Sequence, residues 1–292
     1  MKKIVVIGGT NIDLLAHTFD QVVLEDSNPG YINKSFGGVA RNIAENLARL
    51  GMDVTLLTAL GKDAMSFVSL AKRINLKLSY QQISQTPTYL AVHNKNGEMV
   101  VAVSAMEEFE KLNENFILKH SKLIEDADIV VLDANLSESA LSFLFKNYKK
   151  TYYVDLISSH KAYKFLPYIS KIHTLKINEV EGKKISNKEN PYDIGQELLN
   201  QGLKSVYLTL GKNGAYNFTN KQTDFYQKSF ESKMQNDTGA GDAFFAGVIF
   251  AEQENINPLK TGTILAHMTL QTKDTVNKKI KPSLVMSLVK EK

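Results

Sequence analysis

Two glycines and an aspartate stand together where an apolar segment begins near the C-terminus. Gly239, Gly241 and Asp242 precede the apolar run 243–247, and this pattern predicts a helix start with exposed backbone N–H groups. Such groups lie at the positive end of a helix and bind anions. A carboxylate beside a bound phosphate makes sense when it accepts a proton from an attacking hydroxyl. The segment therefore indicates phosphoryl transfer, and a plain glycine-rich turn is the alternative.

Two further sets of residues suit a sugar. Paired glycines at Gly37 and Gly38 let a backbone approach a ligand, and Asn42 stands in the first turn of the predicted helix that follows. A tight turn with an N-cap asparagine is the alternative for this set. Asn11 and Asp13 follow a short buried strand and point to the same side, because they are two apart in an extended segment. Ligands of open α/β sheets collect at such strand ends, so we expect vicinal hydroxyls to bind here.

Two later loops carry oxygen donors and glycines. Asn178 and Glu181 follow a predicted strand and can converge on a hydrated Mg²⁺, which prefers oxygen ligands and keeps several waters. A solvated acidic turn is the alternative. The loop after the next strand contains Thr209, Gly211 and Gly214. These residues could line a nucleotide, and a plain turn is the alternative.

Strands and helices alternate along the chain. Short β-rich runs predict strands at 4–7, 53–60, 129–132, 152–155, 174–177 and 205–210, and a hairpin at 215–227. Apolar periodicity predicts helices at 42–50, 64–73, 137–148, 161–169, 192–199, 241–252, 258–272 and 282–289. This alternation is typical of a mostly parallel sheet covered on both faces. No linker interrupts residues 1–292, so we expect a single α/β domain.

A smaller sheet is predicted outside this layer. The β-rich runs 88–93 and 99–103 flank Asn96-Gly97, a strong hairpin signal. With the polar stretch before residue 37, they predict lid segments at approximately 14–36 and 86–105. A closing lid keeps out water that would compete as phosphoryl acceptor. Because exposed strand edges tend to be covered, we also expect a homodimer through the lid.

Composition excludes several classes of protein. The 292 residues include no cysteine, which excludes disulfides, thiol catalysis and Cys-ligated zinc. The net charge of +4 comes from residues 273–292, where six lysines outnumber two acidic residues, so no broad basic face for nucleic acid is expected. No apolar stretch approaches the roughly 20 residues of a membrane span. We therefore expect a cytoplasmic protein that binds neither nucleic acid nor membrane.

The two glycine-rich segments resemble, in order and spacing, the two signatures of the ribokinase-like (PfkB) carbohydrate kinase family. The matching residues are Gly37-Gly38-x-x-x-Asn42-x-Ala44 and Thr238-Gly239-Ala240-Gly241-Asp242. Asn178-x-x-Glu181 and the loop at Thr209 fall where the family carries its metal-linked and nucleotide motifs. The resemblance spans residues 4 to about 275. It implies a ribokinase-like three-layer α/β/α domain, with a mostly parallel central sheet and a small β lid, that acts as an ATP-dependent kinase.

Within that family the pseudouridine kinases are the branch that this chain resembles most, at residues 26–30, 40–51 and 132–136. Asn236 also fits this branch, whereas Asp237 departs from the usual Thr or Val. The resemblance implies phosphorylation of the ribose 5′-hydroxyl of pseudouridine. A ribokinase, a fructokinase or another nucleoside kinase stays open, as does a non-catalytic sugar or nucleoside sensor. A dehydrogenase is disfavoured because Gly8-Gly9 lacks the third glycine of a dinucleotide fingerprint.

The resemblance further implies a role for each motif residue. Asp242 would be the base for the 5′-hydroxyl, and the backbone amides of Gly239, Ala240 and Gly241 would form an anion hole. The residues expected at the nucleoside are Asp13, Gly38 and Asn42 with Asn11 and Gly37 in support, and Ser27, Asn28 and Asn135 at the uracil ring. The residues expected along ATP are Asn178, Thr209, Gly211 and Gly214, with Asn178 and Glu181 organising Mg²⁺ through water. A monovalent cation such as K⁺ is a further expectation near residues 236–242.

Overall fold

The structure, a computed structural model, describes residues 2–220, 222–231, 235 and 238–291. Its strands in chain order are β1 (Lys3–Ile7), β2 (Asn11–Thr18), β3 (Gly30–Gly37), β4 (Asp53–Leu60), β5 (Lys77–Gln82), β6 (Thr88–His93), β7 (Met99–Ala105), β8 (Ile129–Asp133), β9 (Thr151–Asp155), β10 (Thr174–Asn178), β11 (Ser205–Thr209), β12 (Ala215–Thr219) and β13 (Gln222–Gln227). Its α-helices are α1 (Val39–Arg49), α2 (Met65–Arg73), α3 (Glu114–Lys119), α4 (Ser121–Glu125), α5 (Glu138–Asn147), α6 (Glu179–Ser186), α7 (Pro191–Asn200), α8 (Ala240–Glu254), α9 (Pro258–Leu270) and α10 (Pro282–Glu291).

Nine strands form one sheet in the order β13-β12-β11-β10-β9-β8-β1-β4-β5. The strands from β11 to β5 pair in parallel, and β12 and β13 add an antiparallel hairpin at one edge. The inner strand β8 is buried at every position, as expected for a parallel sheet that is covered on both faces. The predicted α/β fold with a mostly parallel central sheet is confirmed.

Alternate residues of the central strands belong to two separate apolar cores. Ile4 and Val6 share one core with residues of α1, α2, α8, α9 and α10. Val5 and Ile7 share the other with residues of α3, α5 and α7. Because successive strand residues point to opposite faces, the helices form a layer on each side of the sheet. In the part of the chain that the structure describes, no helix is long and apolar enough to cross a membrane.

Most predicted helices and strands lie close to their predicted bounds, and the differences have local causes. The predicted helix at 161–169 is a 3-10 helix over Ala162–Lys171 and contains Pro167, which lacks the N–H group of a regular helix ladder. No element is predicted at β5, α3, α4 or α6, because these short segments carry little apolar periodicity.

The strands β3-β2-β6-β7 form a second sheet, in that order, which we call the lid sheet. The central pair β2 and β6 is parallel, and the two outer pairs are antiparallel. The predicted hairpin is confirmed, because β6 and β7 pair antiparallel. In the turn between them, Asn94 Oδ1 accepts hydrogen bonds from the backbone N–H groups of Asn96 at 2.9 Å and Glu98 at 3.1 Å. All seven residues of β7 are exposed, so one edge of the lid sheet is open.

Candidate active site

The start of α8 is built around glycines. Gly239 caps the helix with φ 85°, and a Cβ there would lie 2.1 Å from the carbonyl oxygen of Thr275. A Cβ on Gly241 would lie 2.9 Å from Lys176 Nζ. Among the described residues, none accepts a hydrogen bond from the backbone N–H groups of Gly239, Ala240 or Gly241. Within the described part of the chain, the helix start therefore presents unpaired donors next to a lysine ammonium, an arrangement that suits an anion.

Asp242 lies in this first turn and is buried, with 8% of its surface exposed. Asn42 Nδ2 donates a hydrogen bond to Asp242 Oδ2 at 2.7 Å. Burial and then the negative charge of Asp155 raise the pKa of Asp242 to about 7, because desolvation penalises the charged form. The charge of Lys176 and the Asn42 hydrogen bond oppose this rise, and Asp133 adds to it. A carboxylate with a near-neutral pKa is suited to take a proton from a hydroxyl group.

Lys176 supplies a buried positive charge beside the helix start. Its Nζ donates to Asp155 Oδ2 at 2.9 Å, and both side chains are buried. Burial acts to lower the pKa of Lys176, but the carboxylates of Asp155, Glu181 and Asp242 outweigh it and raise that pKa. The ammonium group therefore stays charged, in an environment where its field is weakly screened.

Gly37 and Gly38 bring lid strand β3 and α1 close to the Asp13 region. A Cβ on Gly37 would lie 2.2 Å from Asp13 Oδ2, and one on Gly38, whose φ is 100°, would lie 2.3 Å from a carbonyl oxygen between β1 and β2. Asn11 Nδ2 donates to Asp13 Oδ1 at 2.6 Å, so these two side chains point to one side. Burial raises the pKa of Asp13, against the hydrogen bond from Asn11 and the charge of Arg41.

Asn135 is held near these residues by the buried carboxylate of Asp133. Asp133 accepts hydrogen bonds from the backbone N–H groups of Gly9 and Ala40, both at 3.0 Å, and of Asn135 at 2.9 Å. The Asn135 side chain donates to Asp133 at 3.2 Å and accepts from Lys161 Nζ at 2.7 Å. Asp133 thereby ties together the turn after β1, the start of α1 and Asn135.

Ser27 and Asn28 lie in the loop between β2 and β3. Asn28 Oδ1 accepts from the backbone N–H group of Val23 at 2.8 Å, and Nδ2 donates to the carbonyl oxygens of Val23 and Asp26, both at 2.9 Å. Ser27 is exposed. The Asn28 amide therefore organises its own loop, and contact of these two residues with a base ring stays a prediction.

A cavity of about 630 Å³ lies beside the start of α8. Its walls include the predicted nucleotide residues Thr209, Gly211 and Gly214 together with Ala240 and Gly241, and residues of α9. A volume of several hundred Å³ is typical of small-molecule sites. The structure thus brings the predicted nucleotide loop and the predicted anion hole to one cavity.

Asn178 and Glu181 form a capping box at the start of α6. The backbone N–H group of each donates to the side chain of the other at 2.9 Å, and Asn178 Nδ2 donates to Glu181 Oε1 at 2.9 Å. Glu181 is 1% exposed, so the alternative of a solvated acidic turn is wrong. Burial raises the pKa of Glu181, against the charge of Lys176. Each carboxylate oxygen keeps a second acceptor position, and the pair therefore fits Mg²⁺ held through water.

Among the described residues, no group of three or more His, Cys, Asp or Glu side chains could hold a metal ion directly. The predicted site for a monovalent cation falls partly on Asn236 and Asp237. These two residues lie outside the described part of the chain, and that site stays a prediction.

Comparison with known proteins places the chain among kinases. The model of the pfkB family carbohydrate kinases matches residues 1–276. The pseudouridine kinase of Escherichia coli (strain K12) is 32% identical over 256 residues, which cover 84% of this chain and 82% of that protein. A carbohydrate kinase from Agrobacterium tumefaciens superposes with a TM-score of 0.86 at 25% identity, over 99% of this chain and 97% of that one. A ribokinase from Arabidopsis thaliana, complexed with ribose and ATP, shares the fold with a TM-score of 0.81 at 19% identity, over 99% of each chain.

Several charged residues of the site are missing from the sequence-based prediction. They are Arg41, Asp133, Asp155, Lys161 and Lys176. Three of them carried a usable signal, because a charged residue within or at the end of an apolar strand must find a partner when it is buried. Asp133 and Asp155 end neighbouring strands and are register partners, and Lys176 interrupts the buried strand β10.

Proposed function

Because the chain belongs to the pfkB family of carbohydrate kinases, and so is a phosphotransferase with an alcohol group as acceptor, we propose that it phosphorylates the ribose 5′-hydroxyl of pseudouridine with ATP. The observation that carries the proposal is the position of Asp242. It lies in the first turn of α8, beside backbone N–H groups that have no acceptor among the described residues, and it accepts a hydrogen bond from Asn42. The similarity to a pseudouridine kinase supports the choice of nucleoside.

The acceptor is positioned by the residues around Asp13. Asp13, Gly38 and Asn42 bind the ribose hydroxyls, and Asn11 orients the Asp13 carboxylate through its 2.6 Å hydrogen bond. Holding a hydroxyl in attack geometry removes much of the entropic cost of a bimolecular step. The base ring extends from the ribose towards Asn135, whose amide is fixed by Asp133 and Lys161.

The transfer itself needs one proton acceptor and a stabilised phosphoryl group. Asp242 takes the proton of the 5′-hydroxyl while that oxygen bonds to the γ-phosphorus, and the bond from the γ-phosphorus to the leaving oxygen of ADP breaks. The backbone N–H groups of Gly239, Ala240 and Gly241 donate to the migrating group, and Lys176 adds a positive charge. Preorganised donors of this kind contribute about 3–4 kcal/mol each in other enzymes.

The nucleotide occupies the cavity beside α8. Thr209, Gly211 and Gly214 line it, and Asn178 is the register partner of Thr209 on the adjacent strand. Mg²⁺ bound with the nucleotide would neutralise phosphate charge, and Asn178 and Glu181 would accept hydrogen bonds from its waters. Use of ATP also favours the cytoplasmic location expected from the sequence.

The lid sheet is proposed to close over the acceptor and to form a homodimer. The face turned away from Asp13 carries an apolar row, because Ile32, Ala16, Val92 and Val101 are paired in register across the four strands. Ile32 and Val101 are 66% and 52% exposed. A second copy of the same face would cover these apolar side chains and protect the open edge of β7.

A substrate panel tests the proposed acceptor. Purified protein with ATP and Mg²⁺ is given pseudouridine, uridine, ribose or fructose, and the products are identified by mass and by the position of the phosphate. We expect pseudouridine 5′-phosphate as the product formed with the highest kcat/KM. A higher kcat/KM for ribose, fructose or uridine would contradict the proposed acceptor but would still show that the protein is a kinase. Absence of phosphoryl transfer to all four would contradict the proposal more deeply.

A further inference from the structure

Arg41 is a buried cation at the start of α1 to which the proposed mechanism gives no role. Its side chain is 6% exposed, and its guanidinium lies 5.6 Å from the centroid of the Phe67 ring. Burial lowers the pKa of Arg41, and the carboxylates of Glu45, Asp13 and Asp242 oppose that shift. An arginine side chain keeps its charge in proteins. Arg41 is therefore a permanent positive charge that acts on both carboxylates proposed to contact the acceptor.

The hydrogen bonds of Arg41 decide which way the amide of Asn42 points. Arg41 Nη1 donates to Asn42 Oδ1 and to the Thr275 hydroxyl at 3.1 Å. That hydroxyl also lies 3.2 Å from the same amide oxygen. The oxygen of Asn42 is thus held by Arg41 and Thr275, and Nδ2 faces Asp242 at 2.7 Å. A rotated amide would set its NH₂ group against the guanidinium and its oxygen against the carboxylate, and both contacts would be repulsive.

Thr275 extends this contact to two other parts of the site. Its hydroxyl lies 3.1 Å from the carbonyl oxygen of Phe36, near the end of lid strand β3, so its single proton is shared between this oxygen and Asn42 Oδ1. Its own carbonyl oxygen occupies the space that a Cβ on Gly239 would need. The end of a lid strand, the Asn42 amide and the anion-hole turn therefore meet at one polar centre.

We propose that Arg41 is a positioning residue for phosphoryl transfer, which holds the Asn42 amide with its N–H group towards Asp242 and, through Thr275, fixes this amide relative to the anion-hole turn. The inference rests on the proposed role of Asp242 as the base. It adds that the base is correctly placed only while Arg41 and Thr275 hold the oxygen of Asn42.

Loss of Arg41 has a consequence that a purely structural role would not produce. Asp242 is faced by Asp133 from β8, Asp155 from β9, Lys176 from β10 and Asn42 from α1, and the charge of Arg41 from α1 also interacts with it. Of these, Lys176 and Asn42 favour the ionised carboxylate. If Asn42 turns its N–H group away, the pKa of Asp242 rises further, and the acid limb of the pH profile moves to higher pH.

Arg41→Gln tests the inference, with Arg49→Gln as the matched control. Both arginines pair with Glu45 from the same helix, and each variant leaves Glu45 with the other arginine. Arg49 donates to Glu45 and to the carbonyl oxygen of Lys278, and not to Asn42. We expect Arg41→Gln to lower kcat about 30-fold with little change in KM for ATP. Arg49→Gln should stay within about twofold of the parent in kcat.

A double-mutant cycle separates action through Asn42 from general damage. In an Asn42→Ala background we expect Arg41→Gln to change kcat by less than about twofold, because the amide that it orients is gone. Thr275→Val keeps the side-chain shape and should lower kcat in the same direction, which covers the case in which Arg41→Gln fails to fold. An equal effect of Arg41→Gln with and without Asn42, or near-parental kcat in both single variants, would overturn the inference. Each rate is measured with the acceptor that the substrate panel identifies. An error in the proposed acceptor would therefore leave this test of the coupling between Arg41 and Asn42 unaffected.

Discussion

Two regions of the molecule meet at Asp13 and are built in opposite ways. One is the recess around Asp242, which is formed by Asn42, Lys176 and Asp242, and the other is the lid sheet. In the recess, Asn42, Lys176 and Asp242 are 3%, 7% and 8% exposed, and hydrogen bonds or a buried ion pair hold them in place. The lid sheet exposes every residue of β7. Charges in the recess act on each other with little screening from water. Single changes there should therefore alter the chemical step, whereas changes on the lid should alter assembly and closure.

The largest expected effect comes from Asp242→Asn. We expect turnover to fall about a thousandfold, because a positioned base contributes about 10²–10⁴-fold, while the affinity for ATP stays near that of the parent. Asp193→Asn is the matched control, since Asp193 stands in the first turn of α7 as Asp242 does in α8 but is exposed. Steady-state kinetics and calorimetric ATP binding measure the two quantities. Near-parental turnover of Asp242→Asn would refute the assignment of the base.

Lys176→Met should have the next largest effect. We expect kcat to fall about 100-fold, because one positive charge beside the phosphoryl group is lost. The variant also leaves Asp155 buried without its partner, which destabilises the fold. The double variant Lys176→Met with Asp155→Asn removes the stranded charge and should regain thermal stability. Recovery of turnover together with stability in the double variant would show that Lys176 is only structural.

The pH dependence should show the raised pKa of Asp242 directly. Because Asp242 must be ionised to accept a proton, kcat/KM should fall about tenfold for each pH unit below about 7. The folded state keeps this proton up to about pH 7, whereas the unfolded chain releases it near its ordinary value of 3.8. Folding stability from this group is therefore present at low pH and is lost as the pH rises towards 7.

The raised pKa of Asp242 also predicts how Asp242→Asn changes the stability of the protein. At pH 8 the parent protein carries a buried, ionised carboxylate, and the asparagine variant does not, so its melting temperature should be higher by a few degrees. The difference should shrink at pH 5, where Asp242 is protonated in the folded state. An acid limb near pH 4, or a variant that melts lower than the parent at pH 8, would contradict the burial argument.

The smallest effect on turnover is expected from the lid. Val101→Lys places a charge in the exposed apolar face, and we expect it to convert a dimer into a monomer with kcat within about threefold of the parent. Leu118→Lys, at an exposed position on α3, is the control for an added surface charge. Light scattering behind a sizing column reports the mass. A parent protein that is a monomer at micromolar concentration would contradict the proposed homodimer.

The contrast between the two regions also explains what the sequence could predict. The helix start at Gly239 and the segment at Gly37 are local patterns, because the glycines and the polar residue that they serve are neighbours in sequence. Lys176, Asp133 and Arg41 each have a partner far away along the chain: Asp155 at 21 residues, Gly9 at 124 and Thr275 at 234. Such pairs depend on strand order and helix packing, which residue types alone do not specify.

The capping box at α6 shows a different limit. The pattern Asn178-x-x-Glu181 is a helix-start signature as well as a candidate Mg²⁺ motif, and the structure shows the first of these directly. The burial of Glu181 comes from the packing of α6 next to Lys176. The sequence analysis used this spacing only for Mg²⁺ and missed the local contact, which the capping-box pattern could have indicated. The burial that makes the carboxylate unusual depends on the whole fold.

The most direct test of the central claim is a crystal structure of the protein with pseudouridine and a non-hydrolysable ATP analogue. We expect the acceptor 5′-hydroxyl within about 2.6–3.2 Å of the Asp242 carboxylate, and the γ-phosphate analogue on the backbone N–H groups of Gly239, Ala240 and Gly241. A hydroxyl bound to a different base, or a terminal phosphate held away from the start of α8, would contradict the account.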